Sequence, residues 1–347
     1  MARSGWRPAE VPYNEFADVS VIIPAYRSAA TIGRALSSVA GQTLKPRRVI
    51  VVDDGSDDDT AAAAGAFAGR MNGITLSVVR QQNKGAGAAR NRALAETSSE
   101  YVAFLDADDE WMPEKIARSM VHLEGTGHVL VAHDIIRVEP DGQKRVIECA
   151  KRFGDTDDPF VQLYRRGFIA TTTVVARRDA VLAAGGFDET LATAQDFDLW
   201  LKMLGGGNAT FTVFPEVLAC YHYNDNGITS NTARRLACTL RISVRHYPAL
   251  RERPGSALVS LWVRIAAVHY EAVCAYRQAG RAGTAIKTVF VLPWRLLWAA
   301  MNTPGSSRCA PDWFRVFLWF WVIAGFAAYA YRFKYLGLAF LKMVMGL

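Results

Sequence analysis

The sequence predicts an α/β protein with a mostly parallel, doubly wound sheet flanked by helices. Three observations carry this expectation. Apolar runs of strand length alternate with helical patterns from Val19 to Leu105. Each run stops at a polar or acidic cluster, and ligands in such sheets bind at the carboxyl ends of the strands. The 347 residues are 51% hydrophobic, enough for a full core.

The elements follow in order. Val19-Ser20-Val21-Ile22-Ile23-Pro24 is a buried strand stopped by Pro24, and a helix runs from about Thr31 to Gly41 with Ile32, Leu36 and Val39 on one face. Val49–Val52 is a second strand, ending in Asp53-Asp54-Gly55-Ser56. An Ala-rich helix over 60–69, a strand over 74–79 and the loop Gln81–Gly87 lead into a third helix. Tyr101–Leu105 is a fourth strand, and it runs into Asp106-Ala107-Asp108-Asp109. Charge in that position is costly unless a cation offsets it, and the D-x-D spacing turns two carboxylates to one side of an extended chain. An acidic turn capping the helix near Pro113 is the plain alternative. Beyond Pro113 the expected elements are a helix to Leu123, a strand over 129–132 and a hairpin turning at Asp141-Gly142. A β-branched strand over 170–175, an amphipathic helix over 194–204 opening on Asp196 and Asp198, and a strand over 218–223 complete this part. From Arg234 onward the pattern is helical, basic and aromatic.

The net charge of +7 and pI near 9.2 point to an anionic partner, phosphate-bearing ligands or an acidic membrane surface. No basic run interleaved with aromatics is present, which argues against nucleic acid. Five scattered cysteines without a CxxC pair indicate a reducing compartment and no zinc site. Residues 1–16 have no apolar h-region, so no secretory signal is expected.

The segments VSVIIPAYRSAATIGRALSSVAGQTLKPRRVIVVDDGSDDDT, NKGAGAARNRAL, YVAFLDADD, GGFDE and QDFDLWLK stand in the order and spacing of the family 2 inverting glycosyltransferases. The chain resembles that family over residues 18–230 and is more narrowly similar to bacterial exopolysaccharide glucosyltransferases of the succinoglycan type. The resemblance implies a GT-A (Rossmann-like) fold and a cytoplasmic enzyme. That enzyme moves one sugar, glucose by the narrower likeness, from a UDP-sugar to a polyprenyl-diphosphate-linked oligosaccharide. By the same resemblance Pro24, Ala25 and Tyr26 lie along the nucleobase, and Asp54, or in second place Asp53, accepts the uracil N–H. An Asx turn before Gly55 is the structural alternative. Lys84 suits a phosphate, Asp106 the ribose beside Ala107, and Asp108 is the ligand to Mg²⁺ or Mn²⁺. Asp196 occupies the place of the catalytic base, and Asp198 does not.

The sequence departs from the family at Gln195, where Glu is usual, and at His222 and Asn224, where an Arg and a His are usual. The Q-x-x-R-W motif of processive synthases is not matched, since Ala282 follows Gln278-Ala279-Gly280-Arg281. The rival classes are a silent sugar-nucleotide-binding module and a nucleotidyltransferase. The latter wants a Gly-rich basic loop after the first strand, and Pro24-Ala25-Tyr26-Arg27-Ser28 is not one.

The organisation expected is an extension (1–17), a nucleotide-sugar-binding half (18–112), an acceptor-binding half of the same domain (113–232) and a helical membrane-associating region (233–347). The strands and site motifs all precede Pro254, so the α/β part is expected to fold without the residues after it. Thr284–Met301, with Trp294 and Trp298 beside Lys287 and Arg295, reads as a helix lying in a membrane interface. Val316–Tyr331 is sixteen residues without a charge, about 24 Å as a helix and short of the ~30 Å hydrocarbon core. With Trp313–Arg315 it reaches about 28 Å. Peripheral association with the cytoplasmic face of the inner membrane is therefore expected first and a single span over 313–331 second. A soluble helical subdomain or dimer interface is the plain alternative.

Overall fold

The computed structural model describes residues 15–154, 158–207, 209–224, 227 and 231–302. The Val316–Tyr331 stretch lies outside the described residues. The first half contains β1 (Phe16–Ala25), α1 (Ile32–Ala40), β2 (Lys45–Asp53), α2 (Thr60–Gly65), β3 (Thr75–Arg80), α3 (Ala86–Ala95) and β4 (Tyr101–Phe104). These strands lie in the order β3-β2-β1-β4, all parallel, with Ile22 opposite Ile50 on one side and Phe104 on the other. Helices cover both faces, so Val21, Ile22, Ile23, Val49, Ile50, Val51 and Val52 are wholly buried. That is why these strands read as continuous apolar runs.

The second half contains β5 (Glu110–Trp111), α4 (Lys115–Leu123), β6 (His128–Val138), β7 (Lys144–Ile147), α5 (Cys149–Gly154), α6 (Pro159–Arg166), β8 (Val175–Arg177), α7 (Arg178–Ala183), α8 (Gln195–Gly205) and β9 (Thr210–His222). The sheet continues β4-β8-β6-β9-β5, with β7 on β6. The parallel part of the expected sheet is the β3-β2-β1-β4 half, and the pairing changes beyond it. Pairs β4–β8, β8–β6, β6–β7 and β9–β5 are antiparallel, and only β6–β9 is parallel. The sheet is mixed, and the reversal has a use: an antiparallel β8 brings its amino end to the carboxyl end of β4. The residues before it, Thr171–Thr173, therefore arrive at the ligand-binding rim. They form a 3₁₀ turn rather than the predicted strand. Thr173 Oγ1 donates to the Ala170 carbonyl at 2.7 Å, a local bond that competes with the extended conformation.

Three further helices follow, α9 (Thr232–Arg245), α10 (Ala257–Gln278) and α11 (Ala282–Asn302). Among the described residues α10 alone has the length and apolar composition of a membrane span, with mean hydropathy 1.4. Its Leu261 and Ile265 nevertheless belong to the same hydrophobic core as the sheet, as do Leu296 and Ala299 of α11. Arg264 lies 4.4 Å from the Phe197 ring, and Arg165 of α6 donates to Ser260 at 3.0 Å. Among the described residues one hydrophobic core thus includes the sheet and parts of α10 and α11.

Candidate active site

The carboxyl ends of β1, β2 and β4 form one rim. Pro24 and Ala25 end β1, Ala25 pairs with Asp53, and the Asp54 N–H donates to the Ala25 carbonyl at 2.8 Å. Tyr26, next along, is 45% exposed and faces solvent with Arg27. The turn after β2 needs glycine at position 55. Its φ is +74°, and a Cβ there would stand 2.8 Å from the Asn83 backbone nitrogen.

The two acids before Gly55 divide their work. Buried Asp53 accepts the Ser56 N–H at 2.9 Å and pairs with Arg80 at 3.4 Å, which makes it the Asx turn. Asp54, equally buried, accepts from the Gln81 amide (2.8 Å), the Lys84 N–H (2.9 Å) and the Gly85 N–H (2.7 Å). It thereby fixes the loop ahead of α3. The Lys84 side chain stays exposed.

Helix α3 connects the acidic rim to the opposite wall. Arg90, buried, donates to Asp106 Oδ1 at 2.6 Å. Asn91 accepts the Phe187 N–H at 2.9 Å and donates to the Phe187 carbonyl and to Glu189 Oε1, both at 2.9 Å. Neither residue was identified from the sequence. Helical spacing held the signal: Arg90 is three residues after Gly87 and three before Ala93, all on the buried face.

The three acids after β4 separate by burial. Asp106 keeps about a third of its side chain exposed, and Ala107 is buried. Burial and the Asp106 charge push the Asp108 carboxyl above its usual range. Asp109 is fully buried, accepts the His222 N–H at 3.1 Å, and is raised further by burial. His222 Nε2 lies 3.0 Å from Glu110. Asp109 is therefore structural, and Asp106 with Asp108 remain at the rim. An all-oxygen pair suits a hard divalent cation. Among the described residues no group of three His, Cys, Asp or Glu side chains is placed to hold a cation, so Asp106 and Asp108 would supply only part of a coordination shell.

The opposite wall is the start of α8. Ala194 precedes it at φ +60°, a left-handed conformation that is strained for a residue with a Cβ. Half-buried Asp196 accepts from Thr171 Oγ1 at 2.6 Å and from the Phe197 N–H at 2.8 Å. The neighbouring Thr172 carbonyl accepts from Trp111 Nε1 at 2.8 Å. A short path thus runs from the acidic rim to Asp196. Asp198 is wholly buried against two cations, Lys202 (2.8 Å) and Arg245 (2.9 Å), and the His246 ring nitrogen (2.8 Å). Burial would raise its pKa, but the hydrogen bonds from His246 and Lys202 outweigh it and hold the carboxyl well below the usual range. Arg245 also reaches Asp188 at 2.8 Å, so α9 ties the 185–189 turn to α8. Beneath the site Phe104, Phe187 and Trp200 pack together, with ring centroids 5.4, 5.7 and 6.3 Å apart.

The profile of "Glycosyl transferase family 2" matches residues 20–183. The amylovoran biosynthesis glycosyltransferase AmsB of Erwinia amylovora is 33% identical over 210 residues, covering 58% of this chain and 69% of that protein. WfgD of Escherichia coli, a UDP-Glc:alpha-D-GlcNAc-diphosphoundecaprenol beta-1,3-glucosyltransferase, is 28% identical over 221 residues, 63% of this chain and 82% of its own. Among solved structures, the mannosyltransferase PcManGT of Pyrobaculum calidifontis, in complex with GDP-Man and Mn²⁺, superposes with a TM-score of 0.57 at 20% identity. That match covers 94% of this chain and 85% of the other.

Proposed function

The chain belongs to the family 2 glycosyltransferases, with their GT-A fold, and from that premise we propose that it transfers one sugar, glucose, from a UDP-sugar to a polyprenyl-diphosphate-linked oligosaccharide. The process is surface polysaccharide synthesis in a bacterium, and the stereochemistry is inverting. Support for donor and acceptor comes from the name of WfgD.

The observation that carries the mechanism is the contrast between the two acids of α8. Asp198 is committed to two cations and the His246 ring, whereas Asp196 is half-buried and held, among the described residues, by Thr171 and its own helix start. Inversion by single displacement needs one carboxylate on the acceptor side, and Asp196 is the group for it. It takes the proton from the acceptor hydroxyl as that oxygen attacks the anomeric carbon. Pro24, Ala25 and Tyr26 lie along the base, Asp54 and the loop it fixes meet the uracil, Lys84 meets the diphosphate, and Asp106 beside Ala107 meets the ribose. Asp108 would hold Mg²⁺ or Mn²⁺, which supplies charge stabilisation for the departing nucleoside diphosphate. Residues 18–112 form the donor half and 113–232 the acceptor half.

A lipid-linked acceptor calls for a membrane surface, and the helices after 232 favour one. Residues 232–302 hold eleven Lys or Arg against Glu252 and Glu271, a net of +9 compared with +7 for the whole chain. On α11, Phe290 and Trp294 are 65% and 67% exposed. A basic helix with exposed aromatics lies at the cytoplasmic membrane interface.

The test is a panel of nucleotide sugars read by UDP release, with Asp196→Asn beside the wild type. Transfer by the variant should fall at least ~10²-fold, the low end for general-base catalysis, while UDP binding with Mn²⁺ is unchanged. Retention of most of the transfer rate would remove Asp196 from the base role.

A further inference from the structure

We propose that the groove between α9, α10 and α11 binds the phosphate headgroup of an anionic membrane lipid, with Arg295 and Lys287 as its cationic contacts. The inference rests on the membrane-surface reading above and gives that surface a defined ligand. The groove encloses about 180 Å³, and Leu236, Ala237 and Val291 line it together with Lys287, Thr288 and Arg295. It therefore offers apolar walls to methylene groups and two cations to a phosphate.

Arg295 is held rather than merely present. His269 is 1% exposed, and its Nδ1 bonds the Ile265 carbonyl at 2.7 Å, which requires the proton on that nitrogen. Its Nε2, 3.4 Å from Arg295 Nη1, is left as an acceptor. Burial lowers the imidazole pKa to about 4, so at neutral pH the ring positions the guanidinium without adding a charge. No carboxylate pairs with Arg295 or Lys287 among the described residues. A half-buried cation whose fixed partner is neutral is complementary to an anion supplied from outside.

The position of the groove decides the class of anion. On an α-helix each residue is turned about 100° from the one before it. Lys287, Val291 and Arg295 thus occupy the sector next to Ile286, Phe290 and Trp294. Those three are 38%, 65% and 67% exposed and form an apolar stripe along α11. Such a contiguous stripe marks a contact surface. With it in the interface of a bilayer, the groove opens at headgroup depth, where the accessible anions are lipid phosphates.

Binding of short-chain phosphatidylglycerol below its micellar concentration tests this on the full chain, because no vesicle surface is then present to attract basic residues diffusely. Calorimetry and Trp fluorescence should give saturable one-to-one binding of phosphatidylglycerol, with at least tenfold weaker binding of phosphatidylcholine. Arg295→Gln should weaken phosphatidylglycerol binding at least tenfold. Lys287→Gln, at an exposed position that folding does not need, should weaken it in the same direction. Equal affinity for the two lipids, equal affinity for inorganic phosphate, or unchanged binding in both variants overturns the proposal. Sedimentation with phosphatidylglycerol vesicles keeps the two readings apart. If the full chain sediments but the short-chain lipid does not bind, the groove is not the site and the surface reading stands. If it does not sediment, the surface reading fails and the proposal falls with it.

Discussion

Asp198 has no exposed surface and three partners, the Lys202 cation on its own helix and, from the end of α9, the Arg245 cation and the His246 ring. Removing one member of a buried ion network leaves the others uncompensated, so Asp198→Asn should lose about 3 kcal/mol of stability at neutral pH. Because the folded-state pKa is depressed, this contribution is complete above the unfolded value of 3.8 and is lost as pH falls below it. Denaturant midpoints of the two proteins should therefore differ at pH 7 and converge in acid, and a constant gap across pH would contradict the assignment. The sequence alone favours Asp196 over Asp198 through its place in a motif. It holds only a part of the reason, Lys202 one turn on, because Arg245 and His246 stand 47 and 48 residues further on. Ion pairs at that separation leave no local pattern.

The 185–189 turn shows how one element constrains another. Gly185 and Gly186 both have positive φ, +82° and +68°, but only at Gly186 would a Cβ meet an atom, Asn91 Oδ1 at 2.7 Å. Gly185→Ala should cost about 1 kcal/mol, from backbone strain. Gly186→Ala should cost clearly more, since it also displaces the Asn91 clip between α3 and the turn. Thermal unfolding of the pair checks this, and equal losses would mean that the clip contributes nothing. The elements read well from sequence are those whose signal is local: β1 to β4, their helices, and the Gly142 hairpin. The misread ones depend on partners elsewhere. Thr171–Thr173 has the β-branched composition of a strand, but its side chains and carbonyls are taken up by Asp196, Ala170 and Trp111. Strand β9 extends far beyond the predicted 218–223 because the length of β6 beside it supplies the pairing.

At the scale of the whole molecule, the continuous core reverses one expectation. By sequence, a chain ending near Pro254 should keep its α/β part folded. It would instead lose Leu261, Ile265, Leu296 and Ala299, each at most 2% exposed. Burial of a single large aliphatic side chain is worth about 1.5–3 kcal/mol, and total stabilities are only about 5–15 kcal/mol. The truncated chain should be insoluble or lack near-UV circular dichroism; a soluble, UDP-binding fragment would show the helices to be dispensable. Composition reveals that 232–302 is basic but not that its inner face completes the sheet's core. The same core sets an acid limit. Burial lowers the pKa of His133 from 6.5 to about 3, so its contribution is complete above pH 6.5 and is lost as pH falls through that window. His133→Asn should flatten the stability curve between those values, as followed by chemical denaturation.

The edge-packed rings of Phe104, Phe187 and Trp200 join the strand that carries the acidic rim, the glycine turn and the helix that carries Asp196. Close-packed aromatic interiors do not deform continuously. For an engineer this divides the molecule into a fixed foundation and replaceable fittings. Exchanging donor or acceptor preference becomes a matter of grafting rim loops from relatives, and a graft that carries a differently sized residue into the trio would alter the spacing between the two sides of the reaction at once.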